Sequence, residues 1–430
     1  MTSTAHSANA GYLLVFGAAT AMRERALVAA VREFDGPVAT IARRVGTPAA
    51  KFFDHVLIGD FSDPDSAVRA TEEFRRETGM VPAGVVPFFD PGLLPGWAVA
   101  RRWGLPYLSR EAVEDSSVNK DRMKDRLLAA GVATPRHRRV TGPDEAAAAC
   151  EEFGLPCVVK PAGFGGSLGV RLISDRAEVP AAYAAVRRVI EEHSAVFTVR
   201  NHRVQVEEFC PLEHEVSVEV LNHLGRRVVL GVADKSLGPR PHFAELGHRV
   251  PSVFSGRADV RDLALRACAA IGLDHGMAHV EIKVGRGGPP SVVEVGARTA
   301  GDGICDLVEL ALGISPGAWH IRSYLHRIGE LPVPPEPSGT AAMAVLKAPP
   351  GRITEVRAPR RLPTAVRHYE LFAAAGAVSH SPAHYLHREG YAECFWPGTA
   401  PEELPPDAHL VIARELTGQI FRTEPAGPAG

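Results

Sequence analysis

Along the first quarter of the chain, the spacing of apolar residues alternates between a strand-like and a helical pattern. Residues 11–19 are almost continuously apolar, which predicts a buried strand, and residues 21–34 carry apolar side chains at helical spacing. Strand-like and helical patterns then alternate, with predicted strands at 38–41, 55–58 and 81–89 and predicted helices at 65–78 and 94–103. Strands that alternate with helices form a parallel sheet with crossover helices. Residues 1–115 are therefore predicted to form an N-terminal α/β domain.

The central part of the chain lacks that regular alternation. Predicted helices lie at 118–130, 143–153, 178–193, 258–271, 302–312 and 317–328. Predicted extended segments lie at 133–140, in two runs around a glycine loop within 155–175, in three strands within 204–232, and at 277–284 and 291–295. A proline-rich stretch at 330–339 is typical of a domain boundary. We predict a second domain over 116–330 and a β-rich C-terminal domain over 340–423.

Composition and charge argue against several classes of protein. The 430 residues are 45% hydrophobic and 23% charged, as in globular proteins, and no stretch approaches the ~20 apolar residues that span a bilayer. A net charge of −2 argues against a nucleic-acid partner. The first apolar run follows no basic residue, unlike a secretory signal, and the six cysteines lack metal-binding spacing. We expect a cytoplasmic protein with reduced thiols that binds neither membrane nor nucleic acid.

One strand-like run ends in a lysine, and a glycine-rich loop follows it. Lys160 closes the run, and glycines follow at 163, 165, 166 and 169, with Ser167 among them. Glycine allows backbone N–H groups to wrap closely around phosphates. Only seven of the 48 basic residues are lysines, so a lysine at the mouth of this loop is notable. Walker A and Rossmann loops are followed by a helix, whereas a strand follows this loop. An ordinary glycine-rich hairpin is the alternative interpretation.

Two carboxylates lie in the middle of neighbouring apolar strands. Glu281 and Glu294 are separated by a short connection, so their strands are predicted to form a hairpin that brings both acids to one face. A lone buried carboxylate is costly, and paired carboxylates near phosphates suit Mg²⁺. Arg298 follows the second strand and could hold a carboxylate or phosphoryl group with two hydrogen bonds. A salt-bridged edge hairpin is the alternative.

A third feature is an acidic strand end. Glu207, Glu208, Phe209 and Cys210 are followed by further acids at Glu213 and Glu215. Such residues facing a cleft could bind an adenine amino group and ribose hydroxyls. A solvated acidic face explains the same pattern.

In this order and spacing, the three features resemble the ATP-grasp superfamily, in its biotin-carboxylase-like branch. The resemblance covers about 116–328 and includes Asn119-Lys120 at a helix start, then Gly131 and Thr134-Pro135. It implies an α/β fold in three parts: the N-terminal parallel-sheet domain, an ATP-grasp core with a mobile lid at about 133–209, and the β-rich C-terminal domain.

The resemblance also implies roles for individual residues. The nucleotide contacts are Lys120, Lys160, the phosphate loop with Gly163, Gly165, Gly166 and Ser167, the adenine hinge Glu207, Glu208, Phe209 and Cys210, and Glu215 at the ribose. Glu281 and Glu294 bind Mg²⁺, with Mn²⁺ as an alternative, and Arg298 faces the carboxyl substrate and its acyl phosphate. The superfamily often has Asn two residues after the second metal ligand, where this chain has Gly296, so one side-chain ligand is missing.

A later segment resembles the substrate region of carboxylate–amine ligases that join L-amino acids. It contains Lys235 and residues 241–252, in which we expect Lys235 and His248 to be catalytic together with Arg298. The expected substrate contacts are His242, Glu245, Arg298, Gly301 and Asp302. We interpret 241–252 as a loop over a charged substrate, with an ordinary surface loop as the alternative.

The function that the resemblance implies is ATP-dependent ligation of a carboxylate to an amine, forming an amide or peptide bond through an acyl phosphate and releasing ADP and phosphate. The expected partners are a small carboxylate and an amine, each an amino acid or peptide; a homodimer is left open. The alternatives are a biotin-carboxylase-like or purine-pathway enzyme of the same fold, and a non-catalytic ADP-binding relative. His380, His384 and His387 share a spacing that suits one helical face, but Pro382 interrupts it, so their role is open.

Overall fold

The computed structural model describes residues 11–17, 27–28, 31–44, 52–285 and 288–425. Its first sheet contains four strands in the order β3-β2-β1-β4, and every neighbouring pair is parallel. These strands are β1 (Tyr12–Phe16), β2 (Val38–Ala42), β3 (His55–Ile58) and β4 (Pro82–Pro87). The helices of this part whose bounds the structure describes are α1 (Pro64–Thr78), α2 (Leu93–Trp103) and α3 (Arg110–Glu114). The predicted N-terminal parallel sheet is confirmed, although most of the helix predicted at 21–34 lies outside the described residues.

The second sheet is small and antiparallel, in the order β5-β8-β6-β7. It is built from β5 (His137–Val140), β6 (Cys157–Pro161), β7 (Arg171–Ile173) and β8 (Val204–Glu208). Helix α4 (Lys120–Ala129) precedes it, and α5 (Pro143–Phe153) and α6 (Val179–His193) pack on it. Ala149, Val159, Val186 and Val206 belong to a core cluster that this unit forms by itself. A unit with its own core can move as a body, which suits the predicted lid.

The third sheet has eight strands in the order β13-β12-β9-β10-β11-β14-β18-β16, with antiparallel neighbours throughout. Its strands are β9 (His214–His223), β10 (Arg226–Leu237), β11 (Glu245–Val250), β12 (His275–Val284), β13 (Ser291–Gly296), β14 (Gly339–Leu346), β16 (Val366–Leu371) and β18 (Gly390–Pro397). A fourth sheet joins β15 (Gly351–Val356), β17 (Val378–Ser379) and β19 (Phe421–Glu424). The remaining helices are α7 (Ala258–Ile271), α8 (Ile304–Leu312), α9 (Pro316–Tyr324) and α10 (Ala408–Ile420).

Two predictions made from the sequence are corrected here. The segment 241–252 is not only a loop, because Glu245–Val250 forms β11 inside the large sheet. Its charged side chains hid the strand, since Arg249 is buried through its ion pair with Asp234. The β-rich C-terminal part also contains α10, which was not predicted.

The linker at 330–338 has no helix or strand, as expected. However, β11 before the linker pairs directly with β14 after it, so one sheet runs through both predicted domains. The division at 330–340 stays a prediction. None of the helices in the described ranges is long and apolar enough to cross a membrane.

Candidate active site

A cavity of about 990 Å³ lies where the three parts of the chain meet. Its walls come from the phosphate loop, the ends of β6 and β8, the face of the large sheet, the N-terminal domain and the C-terminal part. The predicted site residues that line it are Lys120, Lys160, Gly163, Gly165, Gly166, Ser167, Glu207, Glu208, Phe209, Cys210, Glu215, Lys235, Glu245, His248, Glu281, Glu294, Arg298, Gly301 and Asp302. His242 is the exception, since it is not among the lining residues and its ring lies 3.5 Å from Arg171. The folding of the chain therefore brings nearly all of the predicted residues to one place, while their individual roles stay predictions.

The phosphate loop, residues 163–169, connects β6 to β7 and is held at its tip. Ser167 Oγ donates to the carbonyl of Phe243 at 2.7 Å. Gly166 has φ 62°, and a Cβ there would lie 2.3 Å from Cδ1 of Tyr385. Only glycine accommodates both the left-handed conformation and this close approach. The C-terminal part thus contacts the loop directly, a contact that the sequence pattern did not reveal.

Lys160 is held at the base of the loop by a buried carboxylate. Its Nζ lies 2.7 Å from Oε1 of Glu207, and Nζ of Lys124 lies 3.5 Å from the same oxygen. Burial alone would raise the pKa of Glu207, but Lys124 and Lys160 outweigh burial and lower it. Burial lowers the pKa of Lys124 to about 8, against the attraction of Glu207. The side chain of Glu207 thus orders two lysines, and Lys124, one turn after Lys120 on α4, was missed.

The side chains of Glu208, Phe209 and Glu215 in the predicted nucleotide site have partners of their own. The Glu208 carboxylate forms a partly exposed ion pair with Arg136 at 3.1 Å. The Arg240 guanidinium lies over the Phe209 ring, 4.9 Å from its centroid. The Glu215 carboxylate lies 2.8 Å from Lys235 and 3.0 Å from Lys283.

The two predicted metal carboxylates face each other across neighbouring strands. Glu281 on β12 and Glu294 on β13 are direct partners in the antiparallel register. Glu281 Oε1 lies 2.6 Å from Lys235 Nζ, and Glu294 Oε2 lies 3.2 Å from Lys120 Nζ. Although burial opposes it, Lys235 holds the pKa of Glu281 well below its usual range, so this group is a carboxylate. Two facing carboxylates at a cavity wall fit the oxygen ligands that Mg²⁺ prefers.

Arg298 is fixed by an aspartate of the N-terminal domain. Its Nε donates to Asp90 Oδ2 at 2.8 Å, and its Nη1 donates to the Thr299 carbonyl at 2.9 Å. Ser117 Oγ donates to the other oxygen of Asp90 at 2.7 Å. Burial would raise the pKa of Asp90, but Arg298 outweighs burial and lowers it to about 2. The pair is therefore ionised at neutral pH, and Asp90 is a site residue that the sequence did not indicate.

One part of the cavity holds a charged cluster, which we call the polar end: Glu245, His248, Asp302 and Arg388. Arg388 donates to both oxygens of Asp302, at 2.8 and 2.9 Å. His248 Nε2 lies 3.5 Å from Asp302 and 3.7 Å from Glu245, and Lys235 lies 3.1 Å from Glu245. The ligand atoms of the first three residues lie within 4.8 Å of one another. Because Arg388 already occupies both oxygens of Asp302, we do not interpret this cluster as a metal site.

The N-terminal domain adds an apolar wall next to Asp90. Its members line the cavity: Phe61, Phe89, Pro91, Leu94, Pro95 and Val113. Basic groups, facing carboxylates, a glycine loop and an apolar wall therefore share one cavity, which can hold a nucleotide and smaller substrates together.

Comparisons with known proteins agree with this geometry. A family model described as ATP-grasp domain matches residues 153–306. The alanine–anticapsin ligase of Bacillus subtilis is 25% identical over 283 residues, which are 60% of this chain and 59% of that protein. An uncharacterised protein of Sinorhizobium fredii is 31% identical over 232 residues, 52% of this chain and 45% of that protein. This chain thus spans about half the length of the curated relatives that it matches.

Solved structures share this fold over almost the whole length of the chain. The L-amino acid ligase from Bacillus licheniformis superimposes with a TM-score of 0.78 at 21% identity, covering 97% of this chain and 100% of that chain. A biotin carboxylase from Campylobacter jejuni superimposes with a TM-score of 0.66 at 17% identity, covering 96% and 92% of the two chains. Identities this low show the shared fold alone. Taken with the cavity and the family match, they show that this chain contains an ATP-grasp domain and has the ATP-grasp fold, as its motifs predicted.

Proposed function

We propose that the protein is an ATP-dependent carboxylate–amine ligase that joins amino acids, releasing ADP and phosphate. The observation that carries this proposal is the juxtaposition of two kinds of group in one cavity. The phosphate loop with Lys160 lies beside Glu281 and Glu294, while Arg298 and the polar end face the same space. The relative whose name describes ligation of alanine to anticapsin supports the same reaction class.

The substrate groups follow from charge complementarity. The guanidinium of Arg298 is a planar fork that suits a carboxylate, and Asp90 fixes its orientation. The acids Glu245 and Asp302 at the polar end are each paired with a basic side chain, and their carboxylates keep lone pairs that can accept hydrogen bonds from an ammonium group. A cavity that offers a cation at one place and acids at another fits amino acids, which carry both charges.

In the first half-reaction, an oxygen of the substrate carboxylate attacks the γ-phosphorus of ATP, and ADP leaves. Lys120, Lys160 and the backbone N–H groups of the phosphate loop bind the phosphates. Glu281 and Glu294 would hold Mg²⁺, or Mn²⁺, whose charge stabilises the phosphate oxygens. The phosphate loop contacts Tyr385 at Gly166, and closure of the loop over the bound phosphates would exclude water from the acyl phosphate.

In the second half-reaction, the amine nitrogen attacks the acyl carbon, and phosphate leaves. Arg298 stabilises the developing oxyanion. The amine must lose a proton, and His248 is our candidate to accept it. His248 is 1% exposed, and neither ring nitrogen forms a hydrogen bond within the described part of the chain. Lys235 keeps Glu215, Glu245 and Glu281 in place around the reacting groups.

The test is phosphate release from ATP and Mg²⁺, screened against pairs of amino acids, with mass spectrometry of the products. We expect release that requires both members of a pair, together with a product whose mass is their sum minus water. Release that depends on bicarbonate or formate instead would indicate a biotin-carboxylase-like or purine-pathway activity. Nucleotide binding without release for any pair would contradict the ligase and favour a non-catalytic relative.

A further inference from the structure

His279 occupies a special position on the wall that carries the two metal carboxylates. In the register of the sheet, His279 pairs with Gly296, and the next row pairs Glu281 with Glu294. Positions that pair directly, and positions two apart on one strand, lie on the same face of a sheet. The four positions therefore form one patch, in which position 296 contributes no side chain. His279 lines the cavity beside it.

A buried carboxylate fixes the orientation of the His279 ring. Glu219 on β9 is the register partner of His279 on its other side, and its Oε1 lies 2.8 Å from Nδ1 of the ring. Ser217 Oγ donates to the same oxygen at 2.9 Å. Glu219 is 1% exposed, and its Oε2 has no hydrogen-bond partner within the described part of the chain. The second ring nitrogen, Nε2, is thereby directed at Glu281, 3.4 Å from Oε1.

We propose that His279 Nε2 is a further protein ligand of the divalent cation that Glu281 and Glu294 would hold. This inference rests on the cation site of the proposed function and assigns to it a residue outside the predicted set. Glu219, His279 and the cation would form the carboxylate–histidine–metal arrangement, in which the carboxylate orients the ring and makes it more basic. Two ligands of one ion with bonds of about 2.1 Å at right angles lie about 3 Å apart, close to the observed separation of Nε2 and Oε1.

The proposal has a chemical consequence for the choice of cation. An imidazole nitrogen is a better ligand for Mn²⁺ and other transition metals than for Mg²⁺, which prefers oxygen. We therefore expect this site to favour Mn²⁺ over Mg²⁺ more strongly than two carboxylates would alone.

The test is pulsed electron paramagnetic resonance of the protein with ADP and Mn²⁺, which detects ¹⁴N bound directly to the ion. We expect nitrogen modulation in the wild type and its loss in His279→Gln, with Mn²⁺ affinity lowered about tenfold or more and Mg²⁺ affinity lowered less. His368→Gln is the control, since His368 neither lines the cavity nor belongs to the predicted site, and it should keep the signal. Thermal melting checks that each variant is folded.

A second variant keeps the histidine itself. Glu219→Gln should retain the nitrogen modulation but weaken Mn²⁺ binding, because the ring loses its orienting carboxylate. Three results would overturn the proposal: no nitrogen modulation in a wild type that binds Mn²⁺, modulation that survives His279→Gln, or no Mn²⁺ binding by the wild type at all.

The binding experiment needs no turnover, so its outcome is separate from that of the ligase assay. Nitrogen modulation without amino-acid-dependent phosphate release would leave His279 as a ligand and reject the ligase. Turnover without nitrogen modulation would leave the ligase and reject the histidine ligand.

Discussion

Arg298 shows how a single contact between domains prepares a reactive group. Asp90 occupies its Nε, so the guanidinium cannot rotate freely in the cavity. We predict that Arg298→Lys and Arg298→Ala bind ADP within a few-fold of wild type but lose roughly a hundredfold or more in kcat, because an ammonium cannot replace the two-point contact. Asp90→Asn should show the same separation with a smaller loss of kcat. Calorimetric ADP binding beside steady-state phosphate release measures both effects, and a parallel collapse of ADP affinity would make Arg298 a nucleotide ligand.

Lys160 is the second residue whose role can be isolated. Its Nζ lies at the base of the phosphate loop, 2.7 Å from Glu207. Lys160→Ala should almost abolish phosphate release, because losing a charged contact in a closed site raises the barrier by about 2–4 kcal/mol. Lys347→Ala is the control: Lys347 also forms an ion pair, at 2.7 Å from Glu389, and does not line the cavity. Phosphate release near the wild-type rate in Lys160→Ala would reject the assignment of the phosphate loop.

Asp90 and Arg388, two site residues that the sequence did not indicate, have partners that are remote along the chain. Asp90 and Arg298 are 208 positions apart, and Arg388 is 86 positions from Asp302. No local pattern couples such positions, whereas Lys160 and its glycines are adjacent and could be recognised together. Lys124 is different, because its spacing of four from Lys120 on a predicted helix was an available signal.

At the scale of elements, the phosphate loop should tolerate a side chain at position 165 but not at position 166. Gly166 has φ 62° and touches Tyr385, whereas nothing lies within 4 Å of a Cβ placed on Gly165. Gly166→Ala should therefore lower kcat/KM for ATP at least about tenfold, since strain of about 1 kcal/mol or more adds to the clash. Gly165→Ala should remain near wild type.

The double variant Gly166→Ala with Tyr385→Ala separates the clash with Tyr385 from the backbone strain as causes of the lower kcat/KM. It should recover part of the lost activity, because it removes the clash and leaves the backbone strain. Equal activity of Gly166→Ala and Gly165→Ala would contradict this account of the loop.

Most helices and strands were predictable because their apolar periodicity is strong. The observed Pro143–Phe153 and Ala258–Ile271 match the predicted bounds. Helix α10 could have been found, since Ala413, Leu416 and Ile420 repeat at helical spacing and are buried. Strand β11 could not be found in the same way, because its polar residues are buried only through partners on other strands.

At the scale of the whole molecule, the eight-stranded sheet ties the C-terminal part to the core. Strand β14 covers the edge of β11, and Met343 and Tyr391 join Val250 in one apolar cluster. A fragment of residues 1–338 exposes that edge and that cluster, so we predict that it aggregates or fails to melt cooperatively. Size-exclusion chromatography and thermal melting of the fragment check this. A monodisperse fragment with a cooperative transition would instead support an independent C-terminal domain.

The central claim is that one cavity transfers phosphate to a carboxylate and then joins that carboxylate to an amine. The most direct measurement uses the carboxylate substrate found in the amino-acid screen, labelled with ¹⁸O in its carboxyl group, with ATP, Mg²⁺ and the amine. An acyl phosphate requires one carboxyl oxygen to leave with the phosphate, so we predict one ¹⁸O atom in each phosphate released and one in the amide. Amide formation with unlabelled phosphate, or phosphate release without an amide, would contradict the account.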